Sequence, residues 1–459
     1  MRTLLPFLGT FYVLLFTLNL PAQKTFTKAQ LLSDLDYLAE AYEASHFNLY
    51  AYTPEVVYQE HLQQLKNSLD QDSFDLREAT NIFQSFAAKA ENGHTEVPFP
   101  GQAYINYAYQ GGTLFPLELA FEDNKVYVRK NWSSAPIPKG AILQSLNGRA
   151  IEDVLSDIYP LVSAERPYFK KAKIELLSFP RLFWQAFGRV DSFWVDLQMG
   201  DSLQSFKLEP VPLISGYEQK RSEVFYQGFS LDFYDQTAYL IPGSFGGDLE
   251  QYRRAIDSLF RKIAPYPKLI IDLRNNLGGD DAFSNYLVSY IAREAFVWSK
   301  LQVKSSALLK ESVRAHWDTT SRYAQSILNR PDGERFAVQI DPMLPQGDEK
   351  RYKGEVYVLI NRQSHSQAAV TAAQIQDYGW ATLIGEETGE YADHLYASQL
   401  GFTLPQTQIE VKVSKGKMNR LQGGKLPAPV LPDIAVRDHL LDEEDEVLAK
   451  ALEVINEAQ

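Results

Sequence analysis

From about residue 225 onward the sequence alternates short, continuously apolar runs with amphipathic ones, and this alternation limits the fold more than any other feature. "TAYLIPGSF", "KLIIDLRNN", "EVYVLINR" and "ATLIGEE" are apolar β-runs. Between them lie "DLEQYRRAIDSLFRKIA", a long helical insertion and an Ala/Gln-rich stretch. A strand without polar alternation needs cover on both faces, which a parallel sheet flanked by crossover helices supplies. Residues 213–459 are therefore predicted to form an α/β core with a mainly parallel sheet.

Two further segments precede it, as expected of 459 residues that are 45% hydrophobic. In residues 23–105, "TKAQLLSDLDYLAEAYEASHFNLYAY" and "PEVVYQEHLQQLKNSLDQDSFDLREATNIFQSFAAKA" repeat apolar residues at three and four. Thr27 and Thr53-Pro54 are suitable helix starts, and "ENGHTEVPFPG" breaks the period, so this is predicted to be an N-terminal helical domain. Residues 106–212 alternate short β-runs with turn signals around one helix-like piece, "AIEDVLSDIYPLV", which predicts a compact β-rich module.

Residues 1–22 carry a single Arg, an apolar run from Thr3 to about Leu20 and a small-residue site ending at Ala22. That is the order of a secretory signal cut after Ala22, with an uncleaved anchor as the competing reading. The absence of Cys excludes disulfides and thiolate catalysis, and export without disulfides suits a bacterial periplasm or cell exterior. No later segment reaches the roughly 18 apolar residues of a membrane span. Acidic residues outnumber basic ones 58 to 45, a net charge of -13, which argues against nucleic acid or an anionic surface as partner.

Candidate chemistry lies at the ends of the apolar runs. In "KLIIDLRNNLGGDDAF" a strand ends in a loop with Gly278-Gly279, whose backbone N–H groups are suited to face an anion. The competing reading is a tight turn in which Asp272 and Arg274 pair with each other. In "VYVLINRQSHSQAAVTAAQIQDYGWATLIGEETG", Ser366 falls where strand becomes helix, and the next N–H, that of Gln367, is positioned to stabilise an oxyanion. A serine there also suits a helix N-cap, and on these grounds Ser364 is equally eligible. His94 sits in a Gly-containing loop, either as a base or as a solvated residue; His365 is a rival base, and His46, among aromatics, reads as packing. With no HExxH, no Cys and seven scattered histidines, no metal site is expected, and no phosphate or dinucleotide loop calls for a cofactor.

The segments "AYLIPGSF", "LIIDLRNNLGG", "VYVLINRQSHSQAAVTAAQIQDYGWATLIGEETG" and "LPDIAV" occur in the order of the C-terminal-processing, or tail-specific, serine peptidases, and the chain resembles that family. The catalytic domain of the family is in turn similar to those of the tricorn core protease and the interphotoreceptor retinoid-binding proteins. The resemblance implies a PDZ-like role for residues 106–212, where "PIPKGAILQSLNGRAIEDVL" resembles the segment that closes a peptide groove. It selects Ser366, ten residues before Gln376, as nucleophile and leaves Ser364 as a turn or cap residue. It assigns the oxyanion hole to the N–H groups of Gln367 and Gly278. "GHT" resembles the motif of the histidine-using branch and makes His94 the base. The lysine of the other branch would follow "GExTFG"; here "GEETGEY" puts Tyr391 at that position, and a phenol with an ordinary pKa of roughly 10 does not replace a desolvated amine. Glu390, beside it, is the substitute candidate for the acid that orients the histidine. The implied function is an exported serine endopeptidase acting on polypeptides by a Ser-His mechanism. The alternative is an inactive relative that binds peptide or an apolar ligand.

Overall fold

The computed structural model describes residues 24–224 and 228–457, so the signal-like segment lies outside the described residues. Its central sheet runs Phe229–Tyr234, Thr237–Pro242, Lys268–Asp272, Glu355–Ile360, Thr382–Gly385 and Ile434–Ala435. The first pair is antiparallel and every later pair is parallel. Leu269, Ile271, Val356, Val358 and Ile360 face one core, shared with helices Leu249–Ile263, Asp281–Ser289 and Gln367–Asp377. Ile270, Tyr357, Leu359 and Ile384 point the other way, into a second core with Glu446–Glu457. Both faces are dry, which explains why these strands lack polar alternation. The sheet is α/β as expected, with one antiparallel edge.

The N-terminal helices are Lys28–Ser45, Glu55–Ser68 and Leu76–Ala88. Thr27 starts the first as half of a capping box with Gln30, whereas Pro54 starts the second without a side-chain cap. These helices, read above as a domain of their own, do not close a core alone. Leu31, Leu35, Tyr42, Phe83 and Phe86 pack in one cluster with Val303, Val411 and Val413. The three valines belong to an antiparallel sheet ordered Arg335–Ala337, Lys300–Lys304, Glu410–Asn419, Leu395–Thr403. Sequence reasoning did not separate that sheet from the parallel core. His46 lies at this joint, buried against Tyr396, and burial pushes its pKa down to about 3.

The β-rich module has the strand order Leu117–Glu122, Lys125–Asn131, Ile142–Leu146, Phe193–Met199, Ser202–Leu208. It contains three helices, Ile151–Ile158, Pro167–Leu177 and Phe179–Phe187, where one was expected. Pro167 and Pro180 stand in the first turns of the second and third, where the missing N–H costs nothing. Its main core, including Phe115, Leu119, Val128, Leu143, Phe183 and Val195, is drawn entirely from within the module. Among the described residues no helix is long and apolar enough to cross a membrane.

Because one segment keeps its core to itself and the other shares it, two fragments should behave oppositely. Residues 106–212 should fold cooperatively by near-UV circular dichroism and denaturant titration, and residues 24–105 should show no cooperative transition. A cooperative transition in the second fragment would mean the shared cluster is dispensable.

Candidate active site

Lys268–Asp272 and Glu355–Ile360 are parallel neighbours, so the loops that follow them meet at one edge of the sheet, where open α/β folds place their ligands. The His365 N–H donates to the Asn276 carbonyl at 2.9 Å, joining the two loops. Ser366 then opens helix Gln367–Asp377 with φ 54° and ψ -124°. A side chain rarely adopts positive φ, and such a residue costs on the order of 1–3 kcal/mol unless its surroundings enforce it. The side chain of Ser366 makes no cap bond to its helix, so the competing N-cap reading does not describe it. Ser364 is fully buried and structural: its hydroxyl donates to the Leu273 carbonyl at 2.8 Å and accepts the Asn361 N–H at 3.0 Å. Asp272 and Arg274 pair with each other, and Arg274 also holds Asp445.

Glu390 has no solvent exposure. Its Oε1 accepts the backbone N–H of Ser366, and its Oε2 lies 3.1 Å from His94 Nε2. Burial alone would raise its pKa, but the facing His365, the bond from His94 and the Ser366 N–H outweigh burial and hold it below the ordinary range. With Nε2–H directed at a carboxylate, a neutral His94 keeps its lone pair on Nδ1, as a general base requires. His94 and Ser366 line the same cleft of about 520 Å³, and His365 is not among the cleft's lining residues. The His365 ring stacks on His94 with centroids 4.9 Å apart, and burial pushes its pKa down to about 4.

The glycine loop needs one correction. The Gly278 N–H already donates to Asn276 Oδ1 at 2.8 Å, and Gly279, not Gly278, lines the cleft beside Ser366 and Gln367. Gly278 is instead demanded by packing. At φ 77°, an added Cβ would stand 2.5 Å from the Gln367 nitrogen, 2.6 Å from the His365 carbonyl oxygen and 2.9 Å from Ser366 Cβ.

Sequence reasoning missed three residues around this site. Glu165, in the β-rich module, accepts the N–H of Gly93 at 3.1 Å and of Tyr391 at 3.2 Å. Burial and the charge of Glu390 raise its pKa. Gln399 donates to the His94 carbonyl at 2.9 Å. Lys415 lines the cleft with its ammonium on the Ser398 carbonyl and hydroxyl and the Gln399 carbonyl, and burial lowers its pKa to about 8. Nothing in "YASQLG" or "VSAERP" marks the first two; the interrupted alternation of "VKVSKGK" is the signal that singles out the third. Tyr391, at the lysine position, lies against Tyr52 and under the Arg166 guanidinium. The histidines that look scattered in sequence are not all apart in space: His94, His365 and Glu390 each bring one ligand atom within 4.8 Å of the others.

A serine at positive φ on a strand-to-helix turn, sharing a cleft with a histidine that is paired to a buried glutamate, is an arrangement that serine-type peptidase chemistry can use. Residues 236–436 match the profile of Peptidase family S41. No curated protein sequence matches the chain. In fold the chain is similar to mature CPAF complexed with lactacystin, at TM-score 0.65 and 14% identity over 93% of this chain and 97% of that one. Mature CPAF alone gives 0.60 and 14% over 89% and 92%. The photosystem II D1 C-terminal processing protease gives 0.46 and 14% over 92% and 97%.

Gly278→Ala should lower stability by at least about 1–3 kcal/mol through its positive φ and the Gln367 contact, and should abolish labelling of Ser366 by a fluorophosphonate. Thermal unfolding and probe labelling check this; a stable variant that labels normally would show that the loop can shift without harm.

Proposed function

We propose that this protein is an exported serine endopeptidase of the tail-specific kind, with Ser366 as nucleophile, His94 as base and Glu390 as orienting acid. The observation that carries this reading is that one buried carboxylate holds both the backbone of Ser366 and the ring of His94. His94 Nδ1 takes the hydroxyl proton as Ser366 Oγ attacks the scissile carbonyl carbon, and the oxyanion meets the N–H groups of Gln367 and Gly279. The proton passes to the leaving amine, and water, deprotonated by the same ring, releases the acyl group. With Tyr391 where the other branch has lysine, the His–Glu pair supplies the base that a Ser/Lys dyad would otherwise provide. The β-rich module, read as PDZ-like, has in Ser202–Leu208 an edge strand exposed over most of its length, suited to strand addition by an extended peptide. Export rests on the composition of residues 1–22, and mature protein from its native host should begin near Gln23 by intact mass; a retained Met1 would reject cleavage.

A fluorophosphonate probe should label Ser366, and Ser366→Ala should lose both labelling and hydrolysis of an unstructured protein such as casein. Ser364→Ala should cost about 1–3 kcal/mol of stability for its buried hydrogen bonds yet keep most of the labelling. His94→Ala should lose about a hundredfold in rate, roughly 2.7 kcal/mol, and His365→Ala much less. If no serine labels in folded protein, the chain is a binding relative rather than a peptidase.

A further inference from the structure

We propose that His94, His365 and Glu390 form a binding site for a divalent transition metal, Zn²⁺ foremost, whose occupation switches the enzyme off. His365 has no place in the proton path above, and its buried Nε2 has no hydrogen-bond partner. That nitrogen stands 3.4 Å from Glu390 Oε2, the oxygen that His94 Nε2 meets at 3.1 Å. A tetrahedral Zn²⁺ with bonds of about 2.0–2.1 Å holds neighbouring donor atoms roughly 3.3 Å apart. The two observed separations bracket that spacing, and all three ligand atoms lie within 4.8 Å of one another. Two imidazoles and one carboxylate are an established zinc donor set, whereas Mg²⁺ and Ca²⁺ seek oxygen-rich shells.

The rings now stack within 10° of parallel, so one must tilt to bring its in-plane lone pair onto the ion. His94 borders the cleft, which gives its ring space on one side. The cation takes the place of the proton on His94 Nε2, and that proton passes to Nδ1. A ring metallated on one nitrogen and protonated on the other cannot accept the Ser366 proton, which is the physical basis of the switch. The switch rests on the peptidase reading, but the metal site does not.

The test titrates ZnCl₂ into the full-length chain carrying Ser366→Ala, which spares all three ligands, by isothermal calorimetry, with MgCl₂ as control. One Zn²⁺ per chain and no response to Mg²⁺ are expected. Adding His365→Ala, or His365→Gln should the alanine variant fail to fold, should weaken zinc binding more than tenfold. In parallel, ZnCl₂ should inhibit casein hydrolysis by the wild type, and the half-inhibiting concentration should rise more than tenfold in the His365 variant. Zinc affinity that the His365 substitution leaves unchanged overturns the site, whether or not the protein cuts peptides. Stoichiometric zinc binding that depends on His365, in a protein that hydrolyses nothing, upholds the site and removes only the peptidase reading.

Discussion

The buried carboxylate of Glu390 is the constraint on which the rest of this site depends. A carboxylate with no solvent contact is expensive to bury, and it is retained only when its oxygens are bonded. Here one oxygen takes the Ser366 N–H and the other faces His94. The bond to Ser366 helps enforce the positive φ of that residue, and the bond to His94 sets its tautomer. A hydrogen bond to such a buried charged group typically contributes about 1.5–3 kcal/mol, so strain at the serine and orientation of the histidine are maintained together.

Three parts of the chain converge on that carboxylate. The loop after the N-terminal helices supplies His94, the parallel core supplies Ser366 and Glu390, and the β-rich module supplies the groups that hold them. Glu165 clamps Gly93 to Tyr391, Lys173 donates to the Gly93 carbonyl at 3.0 Å, and Arg166 donates to the Gly389 carbonyl at 2.6 Å. From the opposite side, Lys415 holds the backbone of Ser398 and Gln399, and Gln399 holds His94. The Ser398 backbone has φ 56° within strand Leu395–Thr403, a local distortion that Lys415 bridges. The β-rich module is therefore packed as a second wall of the site, in addition to any part it has in holding peptide.

Much of this was legible in the sequence, and for definite reasons. Apolar runs such as "KLIID" and "EVYVLI" demand cover on both faces, so the parallel sheet and its helices followed from hydrophobicity alone. Strand-to-helix register placed Ser366 at the sheet edge, and adjacent glycines marked the loop that packs on it. The antiparallel sheet was not legible. Its strands lie far apart in sequence, Lys300–Lys304 and Arg335–Ala337 before the Ser366 loop, Leu395–Thr403 and Glu410–Asn419 after it, and they are united only by a cluster with the N-terminal helices.

Local periodicity and turn chemistry thus determined the elements and the central sheet, because each depends on neighbours within a few residues, whereas the choice of Ser366 over Ser364 came from the resemblance in motif order and spacing. Tertiary structure alone decided which histidine meets the cleft, which glycine lines it, and that Glu390 is bonded on both oxygens. Those outcomes depend on backbone positions separated by up to 296 residues, as His94 and Glu390 are. No spacing in a sequence encodes the angle at which two such loops meet. That angle is set by how three packed cores come together around one buried charge.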